Sequence, residues 1–283
     1  MNWLGYLLVA VLLLGAAVYF GLPPTLRAMG LHQHYEIPDF NLEGRRALVV
    51  TTSHPTLGET GRPTGVFGSE MTVPYYAFLD AGLEVDIASI RGGAVPVQPW
   101  SMSWPLATHD DRRFLGDADA MGKLRASIPI TGVRAEDYDV IFMAGGWGAA
   151  YDLAQSAELA TLISQAHEDG RIIGSVCHGA LGLVSATNPD GSPLVQGRRV
   201  TGVTDLQIEQ FGITITPKHP ESELRAAGAI FEAQTAWRDF FATHTVVDGN
   251  LVTGQNQNSG YETAHRILER LEAQPEDRTE AQP

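Results

Sequence analysis

The residues best suited to chemistry surround Cys177, the only cysteine of this 283-residue chain. An apolar run that predicts a buried strand ends at Val176, and His178-Gly179 begins a small-residue segment that predicts a helix. A side chain on such a tight strand-to-helix turn stands clear of the sheet. The free N–H groups of a helix N-terminus favour a thiolate and can hold an oxyanion. We therefore predict that Cys177 is a reactive nucleophile; the alternative is a small buried hydrophobic residue.

Composition argues against several classes of function. The formal net charge of −14 argues against nucleic-acid binding and against adsorption on anionic lipid headgroups. A single cysteine excludes an intrachain disulfide and a thiolate-rich metal site. His32 and His34 have no third ligand near them in the sequence, so we expect solvated linker histidines rather than a metal site. No cofactor is predicted.

The N-terminal residues differ from the rest of the chain. Residues 3–20 are an uncharged run dominated by Leu, Val, Ala and Gly. As a helix, this run would be about 27 Å long, close to the hydrocarbon thickness of a bilayer. We predict an uncleaved transmembrane anchor over residues 1–21; a cleaved signal peptide is the competing interpretation. The positive-inside tendency favours a single-pass protein with a cytoplasmic catalytic domain and leaves the periplasmic side open.

The remaining chain divides into three parts. Residues 22–44 carry prolines among polar residues and predict an extended tether. Over residues 45–273, apolar strands alternate with helices, which predicts an α/β fold with a mainly parallel, doubly wound sheet, a flavodoxin-like sandwich. Residues 93–135 interrupt the alternation and predict a cap-like insertion. Residues 274–283 predict a disordered tail.

The alternation gives a coarse set of elements within the α/β domain. Predicted strands are 47–52, 83–90, 139–143 and 171–176; predicted helices are 69–81, 150–169 and 261–273, with a helix-compatible stretch at 110–126. Residues 245–253 predict a hairpin around Asp248-Gly249-Asn250. Ligands of parallel sheets gather at the carboxyl ends of the strands, where Cys177 is expected beside the Gly145-Gly146 turn.

Five ordered sequence blocks carry a resemblance to a known superfamily. They read TGVFGSEMTVPYYAFLDAGLEVDIASIRGG, DYDVIFMAGGWGAAYDL, GSVCHGALGLV, GRRVTGVTD and VVDGNLVTGQNQNS. In these blocks the chain resembles the ThiJ/PfpI superfamily, which has the class I glutamine-amidotransferase-like fold. Within it, the chain is similar to the branch of heat-shock chaperones with glyoxalase III activity. Relatives of this kind often form homodimers, so the resemblance also implies a possible homodimer.

The resemblance implies roles for particular residues. Cys177 would be the nucleophile and His178 its neighbour. Glu70 falls where the family has a carboxylic acid touching the cysteine sulfur; by sequence alone, an acid in the first turn of a helix can equally be a solvated residue that helps the helix dipole. The backbone N–H groups of His178 and of the Gly145-Gly146 turn would form an oxyanion hole.

Two positions depart from the family pattern. The family's glycine block commonly reads Gly-Gly-His-Gly, whereas Trp147 stands at its third position here. An imidazole that can move protons is thereby replaced by an indole that can only stack or donate one hydrogen bond. The acid that completes the family's Cys-His-acid set is expected after the strand 199–203. Ile208 occupies the direct alignment, which leaves Glu209 or, as a fallback, Asp205.

Together, these residues predict a cofactor-free cysteine enzyme that acts on small reactive carbonyl compounds. In the glyoxalase III scheme that the resemblance implies, the Cys177 thiolate adds to the aldehyde of methylglyoxal, Glu70 or His178 moves a proton, and water releases lactate. Two alternatives stay open. One is a membrane-tethered stress chaperone or redox sensor that uses the same cysteine, and the other is an amidase- or peptidase-like hydrolase.

Overall fold

Short apolar strands form the centre of the molecule, because a strand covered by helices on both faces has no polar side to present to water. The computed structural model describes residues 3–274. The strands are β1 Arg46–Thr51, β2 Glu84–Ser89, β3 Ile128–Pro129, β4 Val140–Met143, β5 Ile172–Val176, β6 Arg199–Val200, β7 Ile230–Phe231, β8 Thr245–Asp248 and β9 Leu251–Gly254. The α-helices are α1 Trp3–Ala28, α2 Gly68–Asp80, α3 His109–Gly116, α4 Ala118–Arg125, α5 Ala149–Asp152, α6 Ala157–Glu168, α7 Asp205–Phe211, α8 Pro220–Ala226 and α9 Gly260–Glu272.

Seven strands form one sheet in the order β3-β2-β1-β4-β5-β9-β8. All neighbouring pairs in this sheet are parallel except β8 and β9, which form the predicted antiparallel hairpin. Strands β6 and β7 pair separately, also in parallel. The strand order reverses between β1 and β4, as in a doubly wound sheet. The predicted α/β fold with a mainly parallel sheet is therefore confirmed.

The central sheet separates two hydrophobic cores. Alternate side chains of β4 show the division: Val140 and Phe142 pack into the core beneath α2 and α9, whereas Ile141 and Met143 pack into the core beneath α6. All four are fully buried. Each such side chain contributes about 1.5–3 kcal/mol relative to an exposed position, so burial on both faces fixes the sheet between its helices.

Two predicted elements differ from the structure. Residues 150–169, predicted as one helix, are divided between α5 and α6, because the Ser156 side chain accepts a hydrogen bond from the Leu159 N–H and caps a new helix. Residues 93–135, predicted as a cap-like insertion, contain α3 and α4 but also β3, which pairs with β2 at the sheet edge. The last part of this segment thus belongs to the sheet.

Helix α1 is longer than the predicted anchor. It has 26 residues and none of them is buried. Among residues 3–274 it is the one helix long and apolar enough to cross a membrane, with a mean hydropathy of 2.2 over 18 residues. Residues 22–28, predicted as part of an extended tether, continue this helix through Pro23 and Pro24. The predicted disordered tail, apart from residue 274, lies outside the described residues.

The segment after α1 packs against the α/β domain. Leu31 is 2% exposed, and His32 Nε2 lies 3.0 Å from Ser69 Oγ. The prediction of a solvated His32 is therefore wrong, because this side chain is partly buried against α2. His34 is exposed, as predicted, with 84% of its side chain accessible.

We expect Gly174→Ala to destabilise the fold. A Cβ at this position in β5 would lie 2.5 Å from Ile267 Cδ1 and 2.6 Å from Phe142 Cδ2, both buried. Overpacking of this kind lowers the free energy of unfolding by about 1–3 kcal/mol. Urea unfolding of the full chain in detergent micelles measures the effect. The control is Gly122→Ala in α4, where a Cβ meets nothing within 4 Å and the free energy of unfolding should rise by about 0.5–1 kcal/mol. Equal midpoints for the two variants would contradict this packing.

Candidate active site

Cys177 occupies a strained turn directly after β5. Its φ is +57°, in the left-handed region that costs a non-glycine residue about 1–2 kcal/mol. Such strain persists only where the surrounding structure holds it, and it clusters at functional sites. Gly179 allows the turn to approach β4, since a Cβ there would lie 2.1 Å from the Met143 carbonyl oxygen. The structure has the tight turn predicted from the sequence, but a 3₁₀ helix, Cys177–Leu183, follows it instead of an α-helix.

Glu70 reaches the cysteine from the first turn of α2. Its carboxyl group lies within hydrogen-bonding range of the Cys177 sulfur and of the Gly145 backbone N–H. The side chain is almost fully buried, and its Oε2 atom has no hydrogen-bond partner within the described part of the chain. A Cβ on Gly145 would lie 2.4 Å from that oxygen. Glu70 is therefore a buried acid in contact with the sulfur, and not the solvated residue of the alternative interpretation.

Burial controls the protonation of this pair. It raises the pKa of Glu70 to about 8, against smaller opposing effects of hydrogen bonds with Cys177 and Gly145. Burial also raises the pKa of the Cys177 thiol well above its ordinary value, the Glu70 charge raises it further, and the N–H groups of His178 and Gly146 lower it. The predicted stabilisation of a thiolate by the following turn is thus outweighed by burial. Glu70 is protonated at neutral pH, and the pair holds at most one negative charge.

His178 is a neutral base beside the sulfur. Burial lowers its pKa to about 3, with a smaller contribution from His219. Its Nδ1 lies 3.5 Å from Cys177 Sγ, and its Nε2 has no hydrogen-bond partner among residues 3–274. The backbone N–H groups of His178 and Gly146 both face the sulfur. The structure thereby brings together the predicted nucleophile, its neighbouring histidine and two donors suited to an oxyanion.

The acids predicted to complete a triad lie elsewhere. Glu209 is exposed on α7, because the inward side of that helix is occupied by Gln207 and Ile208, which line the cleft above Cys177. Asp205 accepts a hydrogen bond from Ser222 Oγ. Neither carboxylate forms a hydrogen bond or ion pair with His178 in the described structure. The expectation that Glu209 completes the set is therefore not met, and Glu70 is the acid that contacts the reactive group.

Aromatic and amide side chains cover the sulfur. The cleft is narrow, with a cavity volume of about 20 Å³. One wall is a series of rings with successive centroids 5.4, 5.7, 6.1 and 5.1 Å apart: Phe67, Trp100, Trp147, Phe211 and Phe240. The amides are those of Gln98, Gln207 and Gln257. Among these residues, sequence reasoning named Trp147 alone as a candidate site residue. Phe67 and Gln257 lie in two of the quoted blocks, and Gln207 and Phe211 lie in α7. The Trp147 ring packs in this wall with its plane at 57° to that of Trp100 and at 63° to that of Phe211.

Similarity to known proteins identifies the family of this chain. The model of the DJ-1/PfpI family matches residues 64–270. This chain belongs to the DJ-1/PfpI family. It is 26% identical over 237 residues to Glyoxalase 3 of Candida albicans, a match that covers 80% of this chain and 97% of that protein. Over 240 residues it is 28% identical to the glutathione-independent glyoxalase HSP31 of Saccharomyces cerevisiae, covering 79% and 96% of the two chains.

A solved structure extends the comparison to the fold. The X-ray structure of the Francisella tularensis Rapid Encystment Protein 24 KDa matches with a TM-score of 0.75 and 29% identity, covering 80% of this chain and 99% of that one. The predicted superfamily and the predicted glyoxalase III branch are confirmed. Among residues 3–274, no group of three or more His, Cys, Asp and Glu is placed to hold a metal ion.

We expect Glu70→Gln to make Cys177 more reactive at lower pH. The negative charge of Glu70 raises the pKa of the thiol, so its removal lowers the pH at which the thiolate forms. Because Cys177 is the only cysteine, the rate of alkylation by iodoacetamide as a function of pH reports on this thiol alone. The matched control is Glu209→Gln on the exposed face of α7, which should leave the alkylation midpoint in place. An unchanged midpoint in Glu70→Gln would show that the two groups are not coupled.

Proposed function

We propose that this protein is a cofactor-free, cysteine-dependent enzyme that converts small reactive carbonyl compounds, such as methylglyoxal, to hydroxy acids. The observation that carries this proposal is the contact of a buried, protonated carboxyl, Glu70, with the sulfur of Cys177. A thiol, an adjacent acid and two backbone donors are the groups that this chemistry requires. The printed names of the relatives, Glyoxalase 3 and glutathione-independent glyoxalase, support the same reaction class.

The site supports each step of a proton-transfer mechanism. The imidazole of His178 accepts the thiol proton as the sulfur adds to the aldehyde carbon, and the backbone N–H groups of His178 and Gly146 hold the resulting oxyanion. Glu70 donates its proton to the neighbouring ketone oxygen and, as a carboxylate, takes the hydrogen from the carbon bonded to sulfur, which gives an enediol. Return of that proton to the second carbon leaves a thioester of Cys177. Water hydrolyses the thioester and releases lactate. The imidazolium of His178 returns its proton to the sulfur, one of the two water protons restores the Glu70 carboxyl, and the other leaves with the product, so that one water is consumed for each methylglyoxal.

The cleft lining favours a small uncharged substrate. Of the described residues that line it, Glu70 and Cys177 alone have acidic side chains, and the rest of the wall is aromatic, aliphatic or amide. Desolvating an anionic substrate there would be unfavourable without a cationic partner. The proposal is favoured over an amidase or peptidase because no carboxylate among residues 3–274 bonds to His178 to orient it as a triad base.

We expect Cys177→Ala to abolish the conversion of methylglyoxal to lactate. Removal of the group that forms the covalent intermediate lowers kcat by about a thousandfold or more. Lactate release by the purified full chain in detergent micelles measures the activity, and circular dichroism checks that the variant is folded. Glu209→Ala is the control and should retain wild-type activity. Lactate production by folded Cys177→Ala at the wild-type rate would refute the proposed function.

We also propose that α1 anchors the catalytic domain to a membrane, with that domain in the cytoplasm. The helix is apolar and exposed along its length, and a bilayer would cover that surface. The domain contacts the helix at Tyr19, whose ring stacks on Trp104 at 5.4 Å and whose carbonyl accepts a hydrogen bond from the Trp104 indole.

Leu12→Lys should release the protein from membranes. The substitution places a charge at the middle of α1, where it costs about 2.5–3.5 kcal/mol in a spanning helix. Extraction of membranes with alkaline carbonate, followed by immunoblotting of pellet and supernatant, measures the change. Leu115→Lys adds the same charge at a comparably exposed position of α3 and should leave the protein in the pellet. Recovery of the wild-type chain in the supernatant would contradict an integral anchor.

A further inference from the structure

The turn formed by residues 30–32 follows α1, and two of its three residues have a positive φ. Gly30 has a φ of +114° and His32 a φ of +46°. A Cβ on Gly30 would lie 2.8 Å from the carbonyl oxygen of Phe241. Leu31, between the two, is buried. Strained conformation and close approach together show that the 30–32 turn is fixed against the domain and is not a passive linker.

The side chain of His32 binds the start of the helix that carries Glu70. Its Nε2 lies 3.0 Å from Ser69 Oγ, and Ser69 is fully buried immediately before Glu70. Burial, with a smaller effect of Arg27, lowers the pKa of His32 to about 4. The imidazole is therefore neutral at neutral pH and makes an uncharged hydrogen bond with Ser69. Loss of this imidazole would open the first turn of α2 to water.

The backbone of His32 binds a second part of the cleft. Its N–H donates to Asn258 Oδ1 at 2.8 Å. The Asn258 side-chain amide donates in turn to the carbonyl oxygen of Phe240 at 2.7 Å, and the Phe240 ring lines the cleft above Cys177. One short turn is thus bonded both to the helix of Glu70 and, through Asn258, to the segment that contributes Phe240 to the aromatic wall.

We propose that His32 is a positioning residue of the active site, which acts through Ser69 to hold Glu70 buried against Cys177. This inference rests on the proposed function for its catalytic consequence. The 30–32 turn lies outside the residues matched by the family model, 64–270, and it continues directly from α1. The segment that joins the predicted anchor to the domain therefore also holds Glu70 in position.

The decisive experiment compares His32→Ala with His34→Ala in the full chain. His34 belongs to the same segment but is exposed, so its variant is the matched control. In His32→Ala, kcat for methylglyoxal should fall about 10- to 100-fold, as expected when a catalytic group is displaced, with little change in KM. In this variant, water also reaches Glu70 and Cys177, which reduces the burial that raises the pKa of each of these two groups. The midpoint of Cys177 alkylation by iodoacetamide should therefore move down by about 0.5–1 pH unit, and His34→Ala should match the wild type.

Ser69→Ala provides a second, milder test, because it removes only the oxygen that His32 contacts. It should shift the alkylation midpoint in the same direction, and His32→Ala combined with Ser69→Ala should shift it no further than the larger single effect. If His32→Ala does not fold, as judged by circular dichroism, Ser69→Ala decides alone. Wild-type kcat and an unmoved midpoint in folded variants would overturn the positioning role.

Failure of the proposed function gives a different pattern. If the wild-type chain does not consume methylglyoxal, the alkylation midpoint still shows whether His32 supports the pair. A midpoint that moves in His32→Ala and Ser69→Ala but not in His34→Ala would then support the positioning of Glu70 without the glyoxalase activity.

Discussion

The contact between the Glu70 carboxyl and the Cys177 sulfur in a site without bulk water is the interaction on which the rest of the site depends. Burial raises the pKa of both groups, so the carboxyl keeps its proton at neutral pH and can donate it.

Retention of the proton on Glu70 also makes the free energy of unfolding depend on pH. The pKa of Glu70 is about 8 in the folded chain against an ordinary 4.5, so the folded state binds the proton more tightly than the unfolded chain. The contribution of this group to the free energy of unfolding therefore falls as pH rises from 4.5 to 8.

Glycines make the contact sterically feasible. At Gly145 a Cβ would meet the Glu70 carboxyl, and at Gly179 it would meet the backbone of β4. Gly146 combines a φ of +103° with an approach in which a Cβ would lie 2.4 Å from the Gly65 carbonyl oxygen. Three backbone segments can converge around one sulfur only if no side chains separate them. The strain at Cys177 itself is held in place by this convergence.

The sequence predicts those parts of the fold and site that local patterns determine. Apolar runs of strand length identify β1, β4 and β5, and the small-residue segment that begins at His178-Gly179 identifies the turn. The division of the long predicted helix at Ser156 was missed because a serine in an apolar-periodic segment is compatible with both a helix interior and an N-cap. The exposure of Glu209 depends on the rotation of α7 about its axis, which a short polar helix does not reveal. The contact of His32 with Ser69 joins residues 37 positions apart, and no periodic signal marks such a pair.

The absence of a carboxylate bonded to His178 among residues 3–274 bears directly on the type of chemistry that this site can perform. A triad base needs an acid that stabilises its protonated form, but burial lowers the pKa of His178 to about 3. Its protonated state is therefore short-lived, which suits transient acceptance of a thiol proton and does not suit activation of water for hydrolysis of a stable amide. Glu70, in contrast, has a pKa of about 8, close to the value at which one group can both donate and accept a proton at neutral pH. A carboxyl with this pKa next to a thiol is suited to the transfer of a hydrogen between two carbons of a bound carbonyl compound. In the proposed mechanism, Gly145 and the 30–32 turn would therefore affect the rate of reaction through the position of Glu70.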